Sequence, residues 1–207
     1  MKKLLDYIEE LKRSEVRRVI DSRMAEFKEL EKKSDDALFK ELCFCLMTAN
    51  CAAQACIDVQ AVVGDGLLTL SEAGLAKRLK QVGYRYPNKR AHYIVEARKH
   101  RGSLRKLMYS LDEFEFREWL VKNIKGLGYK EASHFMRNIG FENVAIIDRH
   151  ILRILSENSL IKMPKTINNK TYLEIEKVLS DIGKKVNLKQ GELDLYLWYA
   201  QTGKVLK

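Results

Sequence analysis

The sequence predicts an all-α protein. Three observations carry that prediction: apolar residues recur every three or four positions through most of the 207 residues, only two prolines interrupt them, and 46% of the residues are apolar. Those proportions describe an ordinary globular core and exclude a disordered chain.

Two helices are predicted before residue 30, with Leu4, Leu5, Ile8 and Leu11 on the face of the first and Val16, Val19, Ile20, Met24 and Phe27 on that of the second. Ser34-Asp-Asp36 caps the next, and Ala37 to Val63 reads as two buried helices divided by the polar break Thr48-Ala-Asn50. Four cysteines, Cys43, Cys45, Cys51 and Cys56, fall in this stretch at spacings that suit neither a zinc site nor an iron–sulfur site, so they are expected reduced and buried. Asp65 to Ser71 turns into a helix through Leu75, Leu79 and Val82. Gly83-Tyr-Arg-Tyr-Pro-Asn88 then stops it and exposes Tyr84, Arg85 and Tyr86 on a loop, with Asn88 capping the next helix. Lys89, Arg90, Arg98, Lys99 and Arg101 extend a basic surface.

Residues 104 to 123 supply a short helix, a turn at Asp112 and a helix through Leu120. The stretch Val121 to Gly140 carries the pair Gly126 and Gly128 between two helical patterns, which makes a helix-hairpin-helix. Its second helix starts just after Gly128, so unpaired backbone amides and a positive helix end are offered to an anion such as a DNA phosphate. Lys130 lies in that first turn, where the dipole disfavours a further positive charge and so favours a nucleophilic amine. His134, four residues on, shares its face and either lines a pocket or is a half-exposed helix histidine. Asp148, behind the apolar run Val144 to Ile147, is a good N-cap for the next helix and pairs with Lys130 as carboxylate and nucleophile. Beyond it, Met163-Pro164-Lys165 breaks the pattern, Thr166 to Ile182 forms a helix that Gly183 ends, and Gly191 to Gln201 is apolar on nearly every face. Asp194 in that last helix needs a partner, and Trp198 is either core or the flat wall of a cavity.

The formal net charge is +10, which points to a polyanionic partner such as nucleic acid. No run reaches the roughly 18 apolar residues of a membrane span, and the charged start Met1-Lys-Lys lacks a secretory core. An intracellular, cytoplasmic location with the chromosome is expected.

The segment Ile124-Lys-Gly-Leu-Gly-Tyr-Lys130-Glu-Ala, followed by Ile147-Asp148-Arg-His150, resembles the hairpin and catalytic loop of the helix-hairpin-helix-GPD DNA glycosylases, of which the lysine marks the bifunctional members. Residues 82 to 98 and the tail Gly191 to Lys207 are similar more narrowly to the type-2 8-oxoguanine DNA glycosylase/lyases, and the resemblance runs from about Asp36 to Lys207. No proline precedes Asp148, a departure from the signature that leaves the Lys/Asp pair intact.

The resemblance implies two helical subdomains, residues 1–35 with 141–207 and residues 36–140, with the active-site cleft between them and the hairpin at about 115–140. It implies Lys130 as nucleophile and Asp148 as its carboxylate. Trp198, Lys207, His134, Met24, Phe27 and Asp194 are expected at the base pocket, where a core role for Met24 and Phe27 and a free tail for Lys207 are the alternatives. On the DNA, Asn50 is expected to fill the gap left by the flipped nucleotide, Tyr84 to wedge the duplex, Arg85 to meet the orphaned cytosine or backbone, and His150 and the amides of Gly126, Gly128 and Lys130 to meet phosphate. Carbonyls of Lys122, Ile124 and Leu127 are expected to hold a structural monovalent cation. The implied activity is excision of 8-oxoguanine from double-stranded DNA followed by β-elimination, by a monomer, with no cofactor and no catalytic metal. The residues alone also allow a glycosylase for another damaged base or a noncatalytic DNA-binding module.

Overall fold

The boundaries of the elements follow local chemistry. In the computed structural model, which describes residues 1–207, the helices are α1 (Lys2–Leu11), α2 (Val16–Glu31), α3 (Asp35–Thr48), α4 (Ala53–Val63), α5 (Gly66–Thr69), α6 (Glu72–Gln81) and α7 (Pro87–Ala97), then, after a 3-10 turn over Arg98–Ser103, α8 (Leu104–Ser110), α9 (Glu113–Asn123), α10 (Tyr129–Asn138), α11 (Arg149–Glu157), α12 (Asn169–Val186) and α13 (Gln190–Thr202). No strand forms, so the fold is all-α. Ser34 caps α3 through the Ala37 amide, and Ser71 caps α6 through that of Gly74. Asp112 opens α9 with a reciprocal capping box, its Oδ1 accepting the Phe114 and Glu115 amides at 2.9 Å while Glu115 reaches back to the Asp112 amide.

Two expected boundaries move. Pro87 does not merely stop a helix; it occupies the first turn of α7, where its missing N–H costs nothing, and Tyr86 rather than Asn88 is the N-cap. Gly183 does not end α12, which runs on to Asn187 in left-handed conformation (φ +52°). The glycine is there because the returning chain packs against it: the Leu188 amide donates to the Gly183 carbonyl at 2.9 Å, and a Cβ would meet the Leu188 carbonyl oxygen at 2.6 Å.

Apolar side chains gather into three cores. The largest draws on residues 38 to 144 and centres on α3, whose Leu38, Phe39, Leu42, Phe44 and Met47 are wholly buried. A second joins α1, α11, α12 and α13 around Ile8, Leu155, Ile182 and Leu197, and a third packs α2 on Leu195 and Tyr196 of α13. Helix α10 touches the first two: Phe135 and Met136 enter the first core and Tyr129 the second.

Between the first two cores, a buried ion pair fixes the extended segment 144–148. Arg117 of α9 forks onto both oxygens of Glu176 of α12 at 2.5 and 2.7 Å and also donates to the Ser133 hydroxyl of α10 at 3.2 Å. Glu176 Oε1 accepts the Ala145 amide at 2.9 Å, and the Tyr172 hydroxyl donates to the Ala145 carbonyl at 2.6 Å and accepts the Ile147 amide at 3.3 Å. Removing one member strands a buried charge, which typically costs about 3–5 kcal/mol. Glu176→Ala is accordingly expected to lower the urea midpoint by that amount of stability, with the slope of the transition unchanged.

Candidate active site and DNA-facing hairpin

A cleft of about 1060 Å³ opens beside α10. Three elements supply its floor. Along α10, Lys130, His134 and Arg137 share one face; at the start of α11 stands Asp148; along α13, Asp194, Trp198 and Thr202 recur every fourth residue. The turn between α3 and α4 and the loop between α6 and α7 form the mouth.

Lys130 and Asp148 are brought together in this cleft, each in the opening turn of its helix. Asp148 Oδ1 accepts the His150 and Ile151 amides at 2.8 and 3.0 Å, the N-cap read from the sequence, and Oδ2 has no protein partner. Lys130 Nζ is half-buried and 3.3 Å from Glu131 Oε1. His150 packs its ring edge-on to Trp198 with centroids 4.7 Å apart, and the Trp198 indole N–H is buried without an acceptor.

The floor behind them is an unbroken polar chain. Asp194 accepts Arg137 Nη1 at 2.6 Å, Arg137 Nε donates to Asn138 at 3.0 Å, and Asn138 donates to Glu41 at 2.6 Å. Glu41 accepts Lys207 Nζ at 2.8 Å, which also donates to Gln60 at 2.6 Å and lies 4.2 Å above the Phe44 ring. Burial pushes the Asp194 carboxyl up to about 7; Arg137 pulls it back, Asp148 adds to the rise and Lys130 opposes it. His134 is pushed well below its ordinary value, first by burial and then by the charges of Arg137 and Lys130. Its ring is neutral, packs edge-on to Phe44 at 5.5 Å and leaves both nitrogens without a hydrogen-bond partner, although the Lys207 backbone lies alongside.

The hairpin turn beside the cleft is built for close backbone approach. Gly126 takes φ +88°, and the Tyr93 ring lies against it where a Cβ would stand. Gly128 is the N-cap of α10, and the amides of Gly126, Gly128 and Lys130 find no acceptor within the protein. Lys89 and Lys125 hold their ammonium groups 5.8 and 6.0 Å from the same Tyr93 ring, so the turn is flanked by positive charge.

Among the expected site residues, Asn50, Arg85 and His150 line the cleft together with Lys130, Asp148, His134, Asp194, Trp198 and Lys207. Asn50 stands exposed at the mouth in left-handed conformation (φ +61°), sparsely used by residues other than glycine and most open to Asn. Five of the expected placements differ. Tyr84 lines the cleft but is not an exposed wedge: it is buried, its hydroxyl donating to the Met47 carbonyl at 2.7 Å. Arg90 is likewise buried on the Ala49 carbonyl at 2.7 Å, and Arg98 is spent on the carbonyls of Gly66, Leu67 and Leu70, because each closes the end of a helix. Met24 lies in the third core, outside the cleft. Phe27 sits beneath the Arg137 guanidinium, 4.8 Å away, and borders a smaller cavity of about 570 Å³ on the far side of Lys207.

Sequence reasoning missed Arg137 and Glu41. Both left a signal: Arg137 follows Lys130 by two helical turns, and Glu41 is a lone carboxylate within the apolar run from Ala37 to Met47.

A hairpin with free amides, beside a cleft that holds a lysine and a carboxylate at two helix starts, defines the class of helix-hairpin-helix proteins that grip a polyanionic backbone next to a reactive site. Residues 20–188 match the family model described as 8-oxoguanine DNA glycosylase, and the chain belongs to that family. It is 54% identical over 206 residues to the 8-oxoguanine DNA glycosylase/AP lyase of Methanocaldococcus jannaschii, covering 99% of both chains, and 52% identical to that of Korarchaeum cryptofilum, covering 99% and 98%. The crystal structure of the M. jannaschii enzyme in complex with 15mer DNA containing 8-oxoguanine superimposes with a TM-score of 0.96, covering 99% of this chain and 100% of that one.

Gly126→Ala places a methyl group against Tyr93 in a strained conformation. It is expected to weaken binding to any duplex by about fivefold or more, about 1–3 kcal/mol of strain and lost contacts, in a fluorescence anisotropy titration. His134 gives a stability signature. Because its folded form resists protonation and its unfolded form does not, its contribution is complete above the unfolded value of about 6.5 and is lost as pH falls below that. Urea unfolding between about pH 7.5 and 5 should therefore show a steeper loss in the natural protein than in His134→Gln.

Proposed function

We propose that this protein is a bifunctional 8-oxoguanine DNA glycosylase/AP lyase in which Lys130 is the nucleophile and Asp148 its anionic partner. The observation that carries the reading is that Lys130 and Asp148, at the first turns of α10 and α11, open on one cleft beside a hairpin whose amides are free.

The duplex is gripped through its phosphates at the amides of Gly126, Gly128 and Lys130, where the positive end of α10 favours an anion. A monovalent cation at the Lys122, Ile124 and Leu127 carbonyls would add to that grip; these are hard oxygen donors of the kind such ions take, although the Ile124 carbonyl already accepts the Leu127 amide at 3.1 Å. Arg85 and Asn50, exposed at the mouth, would enter the space beside the extruded nucleotide while buried Tyr84 supports their loops. Unstacking costs a few kcal/mol, and the phosphate grip offsets it.

With the damaged base against Trp198, the Lys130 amine attacks C1′ of the sugar, the bond to the base breaks with its electron pair, and Asp148 Oδ2 stabilises the positive charge that develops on the sugar. The resulting Schiff base acidifies the C2′ hydrogens, and β-elimination cuts the strand 3′ to the abasic site. This route requires no redox cofactor and no catalytic metal. We further read the working enzyme as a monomer on double-stranded DNA; no helix is long and apolar enough to cross a membrane.

Lys130→Gln is expected to abolish the covalent adduct trapped by borohydride on an 8-oxoguanine duplex while leaving affinity for undamaged duplex within about threefold of the parent. Trapping that survives the substitution overturns the assignment of the nucleophile.

A further inference from the structure

We infer that Glu41 and Gln60 are positioning residues for base excision: they anchor the Lys207 side chain, and through it the tail that closes the back of the cleft behind the damaged base. This deepens the glycosylase reading given above and rests on it.

Beyond Gly203 the chain makes no backbone–backbone hydrogen bond, so residues 204–207 depend on side-chain contacts for their place. Val205 packs on the third core, and the Lys207 ammonium is the other anchor. It is held on three sides, by Glu41 of α3 at 2.8 Å, by Gln60 of α4 at 2.6 Å and by the Phe44 ring, whose centroid is 4.2 Å away. Neither acceptor is free to turn aside. Glu41, its side chain 6% exposed, accepts Asn138 on its other oxygen at 2.6 Å. Gln60 Nε2 donates to the Lys40 carbonyl at 2.8 Å, which leaves Oε1 facing the ammonium. What they hold is a partition: Lys207 borders both the main cleft and the smaller cavity of about 570 Å³, and Lys204 and Leu206 of the same tail also line the cleft. Glu41 and Gln60 are not on the cleft lining, so they cannot touch a base held there and act only through Lys207. A base presented for attack at C1′ has to be held to within about 0.5 Å, and a wall without backbone bonds keeps that tolerance only while its charged end is pinned. Excision needs this wall. Strand cleavage at a sugar that has already lost its base does not.

The test is single-turnover kinetics on two duplexes, one carrying 8-oxoguanine and one carrying a preformed abasic site, for the natural protein, Glu41→Gln, Gln60→Ala, Lys207→Met and the Glu41→Gln/Lys207→Met double variant. Glu41→Gln keeps an acceptor for Asn138 and removes the charge that pins Lys207. It should slow release of 8-oxoguanine by about tenfold or more, toward the roughly 100-fold that an ångström of misplacement costs, and leave cleavage of the abasic duplex within about twofold. Gln60→Ala, which leaves the buried carboxylate in place, should shift in the same direction. Added to Lys207→Met, Glu41→Gln should cost nothing further, because its partner is already gone. Unchanged release by both Glu41→Gln and Gln60→Ala overturns the inference. So does an equal loss on the two duplexes, which makes the pair merely structural, and so do losses that multiply in the double variant, which place the effect elsewhere than Lys207. Failure of the natural protein to release 8-oxoguanine overturns instead the functional reading on which the inference rests.

Discussion

Two helix starts aimed into one cleft set the terms for everything else in this molecule. A helix N-terminus leaves backbone amides unpaired and carries partial positive charge. At α10 that end is left open on the hairpin side, free to take an external anion; at α11 it is closed by Asp148. The same feature is therefore left open at one helix and filled by the chain's own carboxylate at the other. The rest of the fold keeps these ends at a fixed relation. Arg117, Ser133, Tyr172 and Glu176 tie α10 to the segment that leads into Asp148, and they do so by satisfying its backbone, which has no regular neighbour to pair with.

Burying that many charges is costly, and the structure answers by pairing each of them. The Arg117–Glu176 fork and the run from Asp194 through Arg137, Asn138 and Glu41 to Lys207 are closed chains in which each member meets another. Some buried atoms still lack a partner: both nitrogens of His134 and the indole N–H of Trp198 on the cleft lining, and Arg23 Nε, Arg90 Nε, His100 Nε2, Arg117 Nε and Gln190 Oε1 away from it. A buried donor or acceptor without a partner is expensive in a resting protein.

Much of this was readable before any coordinates. The glycine pair, the lysine after it and the aspartate behind an apolar run are local signals, because capping and left-handed turns depend on a few neighbouring residues. So were the all-helical class, the cap residue Ser34 and the turns at Ser71 and Asp112, which the structure shows to be caps as well. What failed depends on distant partners. Tyr84 looks exposed until Met47, 37 residues earlier, is seen to accept its hydroxyl, and Arg90 and Arg98 look solvated until helix ends from α3 and α5 arrive to claim them. Gly183 looks like a stop until the chain turns back over it at Leu188. Met24 shares a helical pattern with Phe27, and only the angle at which α2 lies on α13 decides that neither reaches the main cleft. Family resemblance filled part of this gap and left the tertiary part open.

The central claim is that one particular amine is delivered to the sugar. Its most direct measurement is mass spectrometry of the reduced protein–DNA adduct after proteolysis of the natural protein. The expected result is a deoxyribose-derived mass on the peptide that contains Lys130 and on no other. The same mass on a peptide bearing Lys204 or Lys207, which also line the cleft, would contradict it.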